Sequence, residues 1–316
     1  MKHLVESQQF DRESLKKLFE LADALEKKRD NSLKGKILAS LFYEPSTRTR
    51  FSFEAAMLNL GGSVISTENA KEFSSASKGE SLEDSIRVVN QYADVIVLRH
   101  PEAGASARAA AVSDIPVINA GDGAGQHPTQ GLLDLYTVIR ELGRVRGLHI
   151  AAVGDLKNGR TIRSFAYLLG KYRGVTLTFV SPPELKVGDD IKEYLTRHNV
   201  AFSETQDLEK VMKEADVVYQ TRVQKERFAD VAEFERLRNS FIITRKMADS
   251  MKEGAIIMHP LPRNEEIAKD VDSSPHAMYF SQARYGFFIR MALLKMMLKG
   301  GMQFNGEEES EDDEEE

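Results

Sequence analysis

Short apolar runs alternate with amphipathic runs along most of this chain. The apolar runs are bounded by charged residues, glycine or proline, as buried strands are. They predict strands at Ile37–Phe42, Ser63–Thr67, Asp94–Leu98, Ile115–Asn119, His149–Val153, Val175–Val180, Asp216–Tyr219 and Ala255–Met258. The alternation predicts an α/β fold of parallel sheets flanked by helices, in which ligands bind beyond the carboxyl ends of the strands.

The segments between these runs carry helix signals. Asp11 is placed to cap a helix with one apolar face, and residues 81–84 resemble a capping box for a helix that continues through Tyr92. A helix from Thr129 to about Leu142 is predicted to bridge two domains, and a last helix runs from about Gln282 to Lys299. The apolar face after Asp11 consists of Leu15, Leu18, Phe19, Ala22 and Leu25.

The length of 316 residues indicates two domains. We expect a first domain at 1–135, a second at 136–282, and a C-terminal helix at 283–302 that packs back on the first domain. Residues 303–316 are expected to form a disordered acidic tail or a linker, because nine of the last ten residues are acidic. Without those ten the chain has 40 acidic against 43 basic residues, so the net charge of −6 comes from its end.

Composition narrows the class of protein. The chain has no cysteine, which excludes disulfides, thiolate nucleophiles and cysteine-bound metal centres. The sequence lacks the basic stripe with interleaved aromatic residues that is typical of nucleic-acid binding. It also lacks an apolar stretch long enough to cross a membrane. We therefore expect neither nucleic acid nor a membrane as a partner. The turn after His149–Val153 lacks the G-x-G-x-x-G spacing of dinucleotide sites. We therefore expect a cytoplasmic protein without a cofactor, and with no metal because no ligand cluster is visible.

The connection from the first predicted strand to the next helix is rich in hydroxyl and guanidinium groups. It reads Ser46-Thr47-Arg48-Thr49-Arg50. A helix N terminus offers unpaired backbone N–H groups and a positive dipole end, and these side chains add donors suited to phosphate. The segment therefore predicts an anion site. The apolar face of the helix that follows is predicted to contain Phe51, Ala55, Leu58 and Leu60.

Other polar side chains follow predicted strand ends. Arg99 comes directly after one strand, and His127 and Gln130 lie in a glycine-rich stretch before a helix. Glycine allows close backbone approach to a ligand, which favours a binding role for this histidine over an incidental one. Arg160 and Arg222 occupy comparable positions in the second half of the chain.

Several of these motifs resemble the aspartate/ornithine carbamoyltransferase family. The segment F-Y-E-P-S-T-R-T-R, from Phe42 to Arg50, resembles the family's carbamoyl phosphate signature. Similar segments extend the resemblance from about Leu15 to Lys299: S-K-G-E, L-R-H-P, Q-H-P-T-Q, D-L-K-N-G-R-T, T-R-V-Q-K-E-R and H-P-L-P-R. The resemblance implies transfer of a carbamoyl group from carbamoyl phosphate to L-aspartate, a step of UMP biosynthesis.

The resemblance also implies roles for individual residues. The implied ligands of carbamoyl phosphate are Ser46, Thr47, Arg48, Thr49, Arg99, His127, Gln130 and Ser75. The implied ligands of aspartate are Lys78, Arg160, Arg222 and Gln224, with the backbone carbonyls of Leu261 and Pro262 across a cis peptide bond. The implied catalytic residues are Arg48, Thr49, Lys78 and His127. An ion-pair latch on domain closure would join Glu44 to Arg160 and Arg227.

Family members of this kind form homotrimers with active sites shared between neighbouring chains. Ser75 and Lys78 would then reach into the site of the adjacent subunit, with Ser74 as the alternative to Ser75. The sequence leaves open whether a regulatory chain or a fused regulatory domain is a further partner.

Two other functions compete with aspartate carbamoylation. Ornithine or another amino acid is the alternative acceptor, but ornithine-specific members carry cysteines where this chain has His127–Gln130 and His259–Pro262. The arginines Arg160, Arg222 and Arg263 also fit a doubly negative acceptor better. A carbamoyl phosphate-binding or scaffold protein without activity would have lost polar motif residues, and none is missing.

Overall fold

The computed structural model describes the chain over residues 2–73, 75–223, 228, 230–238 and 240–300. The chain forms two compact units, one of residues 1–123 with the chain from 288 onward and one of residues 124–287. Each unit contains one parallel sheet flanked by helices, which confirms the predicted α/β class. The predicted tail at 303–316 lies outside the described residues.

The first unit is built on a four-stranded parallel sheet in the order β2-β1-β3-β4. Its strands are β1 (Ile37–Phe42), β2 (Ser63–Glu68), β3 (Val95–His100) and β4 (Val117–Asp122). Its helices are α1 (Arg12–Lys27), α2 (Thr47–Asn59), α3 (Ala70–Phe73), α4 (Leu82–Val89) and α5 (Ala105–Val112), with 3-10 helices at Ser7–Gln9 and Ser75–Lys78. The carboxyl ends of the two central strands, β1 and β3, therefore lie side by side.

Two helix starts follow from side-chain caps that the sequence predicted. The Asp11 carboxylate accepts the backbone N–H of Ser14 at 2.7 Å, and α1 buries the apolar face predicted for it. Ser81 Oγ accepts the N–H of Asp84 at 3.1 Å at the start of α4. That helix ends at Val89, before the predicted end at Tyr92.

The apolar face predicted for α2 is wrong at Phe51 and Leu58, although Leu60, just after the helix, is buried as predicted. Phe51 and Leu58 are 53% and 59% exposed, whereas the helix buries Thr49, Phe53 and Met57. A second set of residues at helical spacing, which includes Phe53 and Met57, competes with the predicted set and faces the sheet. The helix consequently presents large apolar side chains on the outside of this unit.

The second unit is built on a five-stranded parallel sheet in the order β7-β6-β5-β8-β9. Its strands are β5 (His149–Val153), β6 (Thr176–Val180), β7 (Ala201–Thr205), β8 (Val217–Gln220) and β9 (Ile256–Met258). Its helices are α6 (Pro128–Leu142), α7 (Arg160–Leu169), α8 (Asp189–Arg197), α9 (Leu208–Glu214), α10 (Val231–Leu237) and α11 (Arg245–Ala248), with 3-10 helices at Pro183–Leu185 and Lys269–Ser273. In the centre, β5 and β8 are paired so that Val153 lies beside Gln220.

The last helix, α12 (Tyr279–Lys299), has its second half in the first unit. Arg290 Nη1 donates to Ser52 Oγ at 2.7 Å, and Lys295 Nζ lies 2.6 Å from the Asp30 carboxylate. These contacts confirm the prediction that the C-terminal helix packs on the first domain. Within the described ranges, no helix is both long and apolar enough to cross a membrane.

Candidate active site

The predicted anion site lies where β1 leads into α2. Ser46 precedes the first helical residue and has extended backbone angles, φ −158° and ψ 91°. Among the described residues the Ser46 side chain caps no N–H of the helix; its Oγ instead accepts a hydrogen bond from Arg99 Nη1 at 3.3 Å. The N–H groups of the first turn have no acceptor within the helix, as at any helix N terminus. Backbone donors, a hydroxyl and a guanidinium thus meet at one point.

Arg99 reaches this point because β3 pairs with β1 and places Arg99 beside Phe42. It is the second-last residue of β3, so the prediction that the strand ends at Leu98 was too short. Arg99 Nε also lies 3.3 Å from a carboxylate oxygen of Glu44. The structure therefore brings Ser46, Arg99 and Glu44 together within the first unit.

The four residues of the S-T-R-T-R segment that belong to α2 divide by the face of the helix on which they lie. Thr47 and Arg48 are exposed, and Thr49 is 7% exposed. Arg50 turns inward, and its Nη2 donates to Glu68 at 2.8 Å. Sequence analysis missed Glu68, although it stands at the end of a strand that pairs Glu68 with Phe42 and could have been found by the same rule as Arg99.

Lys78 lies in the segment that the sequence predicted as a loop, and the structure has the short helices Ala70–Phe73 and Ser75–Lys78 there. The Lys78 side chain is exposed. Ser74 and the side chain of Ser75 lie outside the described residues, so the choice between the two serines stays open.

His127 and Gln130 stand at the start of α6 in the second unit. His127 is the residue before the helix, with Pro128 at the first helical position. Its backbone N–H donates to Ser164 Oγ at 2.8 Å, and its Nδ1 lies 3.4 Å from Thr129 Oγ1. Both predicted site residues are buried, at 4% and 7% exposed. Their position at a helix N terminus agrees with the predicted placement.

The bond to Ser164 depends on a close approach of α6 and α7. A methyl group added at Gly131 would lie 2.9 Å from the backbone carbonyl of Ser164, which is closer than any normal contact. Glycine at 131 therefore allows the two helices to approach until the Ser164 hydroxyl reaches His127. Sequence analysis missed this contact because the two helices are separated by a strand.

A buried carboxylate, also missed by sequence analysis, holds Gln130. Asp134 is fully buried, and its Oδ1 accepts Gln130 Nε2 at 2.8 Å and Gln282 Nε2 at 2.6 Å. Its Oδ2 accepts the hydroxyl of Tyr219 at 2.7 Å. Burial, and the neighbouring Asp134, raise the pKa of Tyr219 well above its usual range, so the phenol stays protonated and donates.

The predicted acceptor-site arginines follow β5 and β8, the two paired central strands of the second sheet. Thr221 donates its N–H to the Val153 carbonyl at 2.8 Å, which keeps the two strand ends together. Arg222 follows Thr221 directly, and Arg160 is the first residue of α7, the helix after β5. Both are half-buried at the same edge of the sheet. Gln224 and Arg227 lie outside the described residues.

The turn after β9 carries Leu261 and Pro262, and their peptide bond is cis, as the resemblance implied. His259 Nδ1 accepts the N–H of Leu261 at 2.8 Å, and its Nε2 lies 2.9 Å from Glu266 Oε1. Burial lowers the pKa of His259, so a neutral ring that donates from Nε2 to the Glu266 carboxylate fits both contacts. Burial alone would raise the pKa of Glu266, but the bonds from His259 and the backbone outweigh it and lower that pKa.

Arg263, weighed in the sequence as a further acceptor-site cation, has partners inside the second unit. Its guanidinium forms an ion pair with Asp272 and donates to the Tyr279 hydroxyl at 3.0 Å. These contacts indicate that the Arg263 guanidinium stabilises the turn after β9. In the described part of the chain, no group of three or more His, Asp and Glu side chains could hold a metal ion.

The two units correspond to two family models. The aspartate/ornithine carbamoyltransferase carbamoyl-P binding domain matches residues 2–140, and the Asp/Orn binding domain of the same family matches residues 146–297. In proteins of this class, a domain that binds carbamoyl phosphate is followed by a domain that binds aspartate or ornithine. The chain belongs to the aspartate/ornithine carbamoyltransferase family.

Individual relatives point to one branch of that family. Aspartate carbamoyltransferase 3, chloroplastic, of Pisum sativum is 56% identical over 303 residues, 94% of this chain and 78% of the relative. The aspartate carbamoyltransferase catalytic subunit of Methanocaldococcus jannaschii is 50% identical over 95% of this chain and 98% of its own. The crystal structure of Trypanosoma cruzi aspartate transcarbamoylase with carbamoyl phosphate and aspartate has a TM-score of 0.88 and 42% identity, covering 93% of this chain and 95% of that one. These likenesses confirm the family and the class of enzyme predicted from the sequence.

Proposed function

We propose that this chain transfers the carbamoyl group of carbamoyl phosphate to the amine of L-aspartate. The products are N-carbamoyl-L-aspartate and phosphate, and the step belongs to UMP biosynthesis. The observation that carries the proposal is the meeting of Ser46, Arg99 and the N terminus of α2 at the carboxyl ends of β1 and β3. Backbone donors, a hydroxyl and a guanidinium at a helix N terminus suit a phosphate group. The chain is also 56% identical to an aspartate carbamoyltransferase.

Phosphate binds at the start of α2. The backbone N–H groups of the first helical turn, the hydroxyls of Ser46 and Thr47 and the guanidinium of Arg99 supply its donors. Ser75 adds a further hydroxyl from the loop before α4. Since donors of this kind hold the leaving group as well as the substrate, they stabilise the charge that phosphate gains as it departs.

The carbamoyl carbonyl oxygen gains negative charge as the amine attacks. Arg48, Thr49 and His127 donate hydrogen bonds to it, and neutral His127 acts as an electrophile, because a cationic site disfavours imidazolium. Gln130 accepts from the carbamoyl NH₂ through Oε1. The new C–N bond forms and the C–O bond to phosphate breaks, and the departing phosphate accepts the proton from the amine and leaves as the HPO₄²⁻ dianion.

Aspartate binds at the end of the second sheet. Arg160 and Arg222 pair with its two carboxylates, with Gln224 and Lys78 as further donors and the carbonyls of Leu261 and Pro262 as acceptors for its amine. The placement of Arg160 and Arg222 at one sheet edge supports a dianionic acceptor over ornithine. Glu44, which lies beside Arg99 in the first unit, is proposed to join Arg160 and Arg227 when the domains close.

The active assembly is a homotrimer whose sites are shared, with Ser75 and Lys78 serving the neighbouring chain. The exposed apolar residues of the first unit support an interface there, because Phe51 and Leu58 lie two turns apart on one face of α2 and Ile65 lies on the edge strand β2. A regulatory chain or domain, a cytoplasmic location and the domain limits at 135 and 282 stay predictions.

Phosphate release from carbamoyl phosphate tests the reaction, measured with L-aspartate, with L-ornithine and without an acceptor. We expect release only with aspartate, together with N-carbamoyl-L-aspartate as the product. Release with ornithine alone would overturn the acceptor assignment and keep the phosphate site. A folded chain that binds carbamoyl phosphate but releases none with either amino acid would contradict the proposed activity.

A further inference from the structure

We propose that Asp134 is a positioning residue, which fixes the end of the Gln130 amide that faces the carbamoyl group and links that amide through Gln282 to the turn of Leu261. The inference rests on the proposed function, in which Gln130 accepts from the carbamoyl NH₂. It assigns a role to a residue that touches no substrate. All the residues that carry it lie in the second unit.

The geometry around Asp134 is that of an ionised carboxylate. The side chain is fully buried and accepts three hydrogen bonds, from Gln130 at 2.8 Å, Gln282 at 2.6 Å and the Tyr219 hydroxyl at 2.7 Å. Burying a charge is unfavourable unless donors replace water, and short bonds to a charged acceptor are stronger than those between neutral groups. Three donors on two oxygens offset that cost.

An ionised carboxylate can only accept hydrogen bonds. Gln130 must therefore turn its NH₂ toward Asp134, which leaves its Oε1 at the other end of the amide. An amide held by a partner that both donates and accepts could adopt either orientation. The reversed amide would present a donor to the carbamoyl NH₂, which is itself a donor, and would lose that contact. The charge on Asp134 thus selects the orientation that suits a carbamoyl group.

The same argument extends through Gln282 to the turn that is proposed to bind the amine of aspartate. Because Gln282 also donates its NH₂ to Asp134, its Oε1 is directed to the backbone N–H of His259, which it accepts at 2.9 Å. His259 in turn accepts the N–H of Leu261 at 2.8 Å. One carboxylate therefore fixes the polarity of a chain of bonds from Gln130 to the turn whose carbonyls are proposed to bind the attacking amine.

The test compares two ligands that differ only in the group that Gln130 recognises. Acetyl phosphate carries a methyl group where carbamoyl phosphate carries NH₂, and the binding of each is measured by calorimetry on the full chain. In Asp134→Leu, which keeps a similar side-chain size and removes both acceptor oxygens, we expect carbamoyl phosphate to bind about ten-fold more weakly, because the Gln130 amide is no longer held and one hydrogen bond to the ligand is lost. Acetyl phosphate should bind within about two-fold of wild type, since it makes no such bond.

Three further variants separate positioning from folding. Tyr219→Phe removes one donor to Asp134 and leaves the Gln130 orientation, so the preference for carbamoyl phosphate should persist. Gln130→Glu places two carboxylates against each other, and adding Asp134→Asn restores a donor facing an acceptor. The double variant should recover part of the preference that Gln130→Glu lacks, and this pair gives the answer if Asp134→Leu alone does not fold.

Each other outcome overturns the proposal. Equal weakening of both ligands in Asp134→Leu would make Asp134 purely structural, and unchanged binding would remove its role. A double variant no better than Gln130→Glu would contradict the orientation argument. A wild-type chain that forms N-carbamoyl-L-aspartate yet binds the two ligands equally would refute the Gln130 contact while leaving the proposed function intact.

Discussion

The carboxylate of Glu68 joins Arg50 to the backbone at the start of the proposed phosphate site. Arg50 Nη2 donates to Glu68 Oε2 at 2.8 Å, and Glu68 Oε1 accepts the N–H of Ser46 at 3.4 Å. Arg50 also lies 3.6 Å from Glu54, whose carboxylate accepts the hydroxyl of Ser40 at 3.0 Å. The second arginine of the S-T-R-T-R segment thus stabilises the turn on which the proposed phosphate ligands stand.

Replacing Arg50 should therefore weaken phosphate binding indirectly. In Arg50→Gln we expect KM for carbamoyl phosphate to rise about three- to ten-fold, because a partly buried ion pair of this kind contributes about 1 kcal/mol to the position of the turn. KM for aspartate should change little. Steady-state kinetics with each substrate varied would check this split, and Arg87→Gln, at an exposed pair with Asp84, is the matched control. Equal changes in both KM values would contradict it.

Gly131→Ala should destabilise the second unit. In an open helix position, replacing glycine by alanine stabilises by about 0.5–1 kcal/mol. At Gly131 the new methyl group would meet the Ser164 backbone at 2.9 Å, so we expect the opposite sign and a loss of about 1–3 kcal/mol. Urea unfolding measures the change. A stabilised Gly131→Ala variant would show that the two helices can separate without cost, and would weaken the assignment of Ser164 as the partner that holds His127.

The ion pair between Lys295 and Asp30 gives stability that depends on pH. Burial alone would raise the pKa of Asp30, but Lys295 and the N–H of Ser32 outweigh it and lower that pKa from 3.8 to about 2. A carboxyl with a lower pKa in the folded chain stabilises it above the unfolded-state pKa, and this stability is lost as the pH falls through the folded-state value. Lys295→Met should lower the free energy of unfolding by about 1–2 kcal/mol at pH 7 and about half as much at pH 3.

Urea unfolding of Lys295→Met and wild type across that pH range checks the prediction. The exposed pair of Arg87 and Asp84 is the matched control, and Arg87→Met should change the free energy of unfolding by less than about 0.5 kcal/mol at every pH. A difference between Lys295→Met and wild type that does not shrink with acid would assign its effect to packing of the lysine side chain.

Much of the fold could be predicted because the chain follows local rules. The bounds of β1 and β5 agree with the predicted runs, since both strands are short, apolar and sharply delimited. The strand β7 was missed because Ala201–Thr205 is mostly exposed at the edge of its sheet and lacks an apolar run. Its existence depends on pairing with β6, which the local sequence does not encode.

The candidate site was predictable where a residue lies at the carboxyl end of a strand, as Arg99 and Arg222 do. The contacts of Asp134 were not, because Tyr219 and Gln282 are 85 and 148 residues away along the chain. The exposed face of α2 was misjudged for a related reason. Two sets of apolar residues share the helical spacing, and only the position of the sheet decides which set is buried.

The exposed residues of α2 predict where subunits meet. Phe51→Asp should dissociate the proposed trimer, because a charge is costly in an apolar interface such as the one proposed at this exposed residue. Val231→Asp, at an exposed apolar residue of the second unit, is the matched control and should leave the assembly intact. Light scattering of both variants measures the mass. If Phe51→Asp keeps the mass of wild type, the interface lies elsewhere.

The proposed sharing of active sites between chains predicts recovery of activity when two kinds of inactive subunit are mixed. Lys78→Ala and His127→Ala chains should each be nearly inactive, since one lacks a residue given to a neighbour and the other a residue of its own site. In mixed trimers, one of the three sites can pair an intact Lys78 with an intact His127, so activity should return to a fraction of the wild-type value after subunit exchange. Mixing His127→Ala with Arg48→Ala, both placed within one chain's own site, should restore none. Absence of recovery from Lys78→Ala with His127→Ala, once exchange is verified by mass spectrometry, would place Lys78 in the site of its own chain.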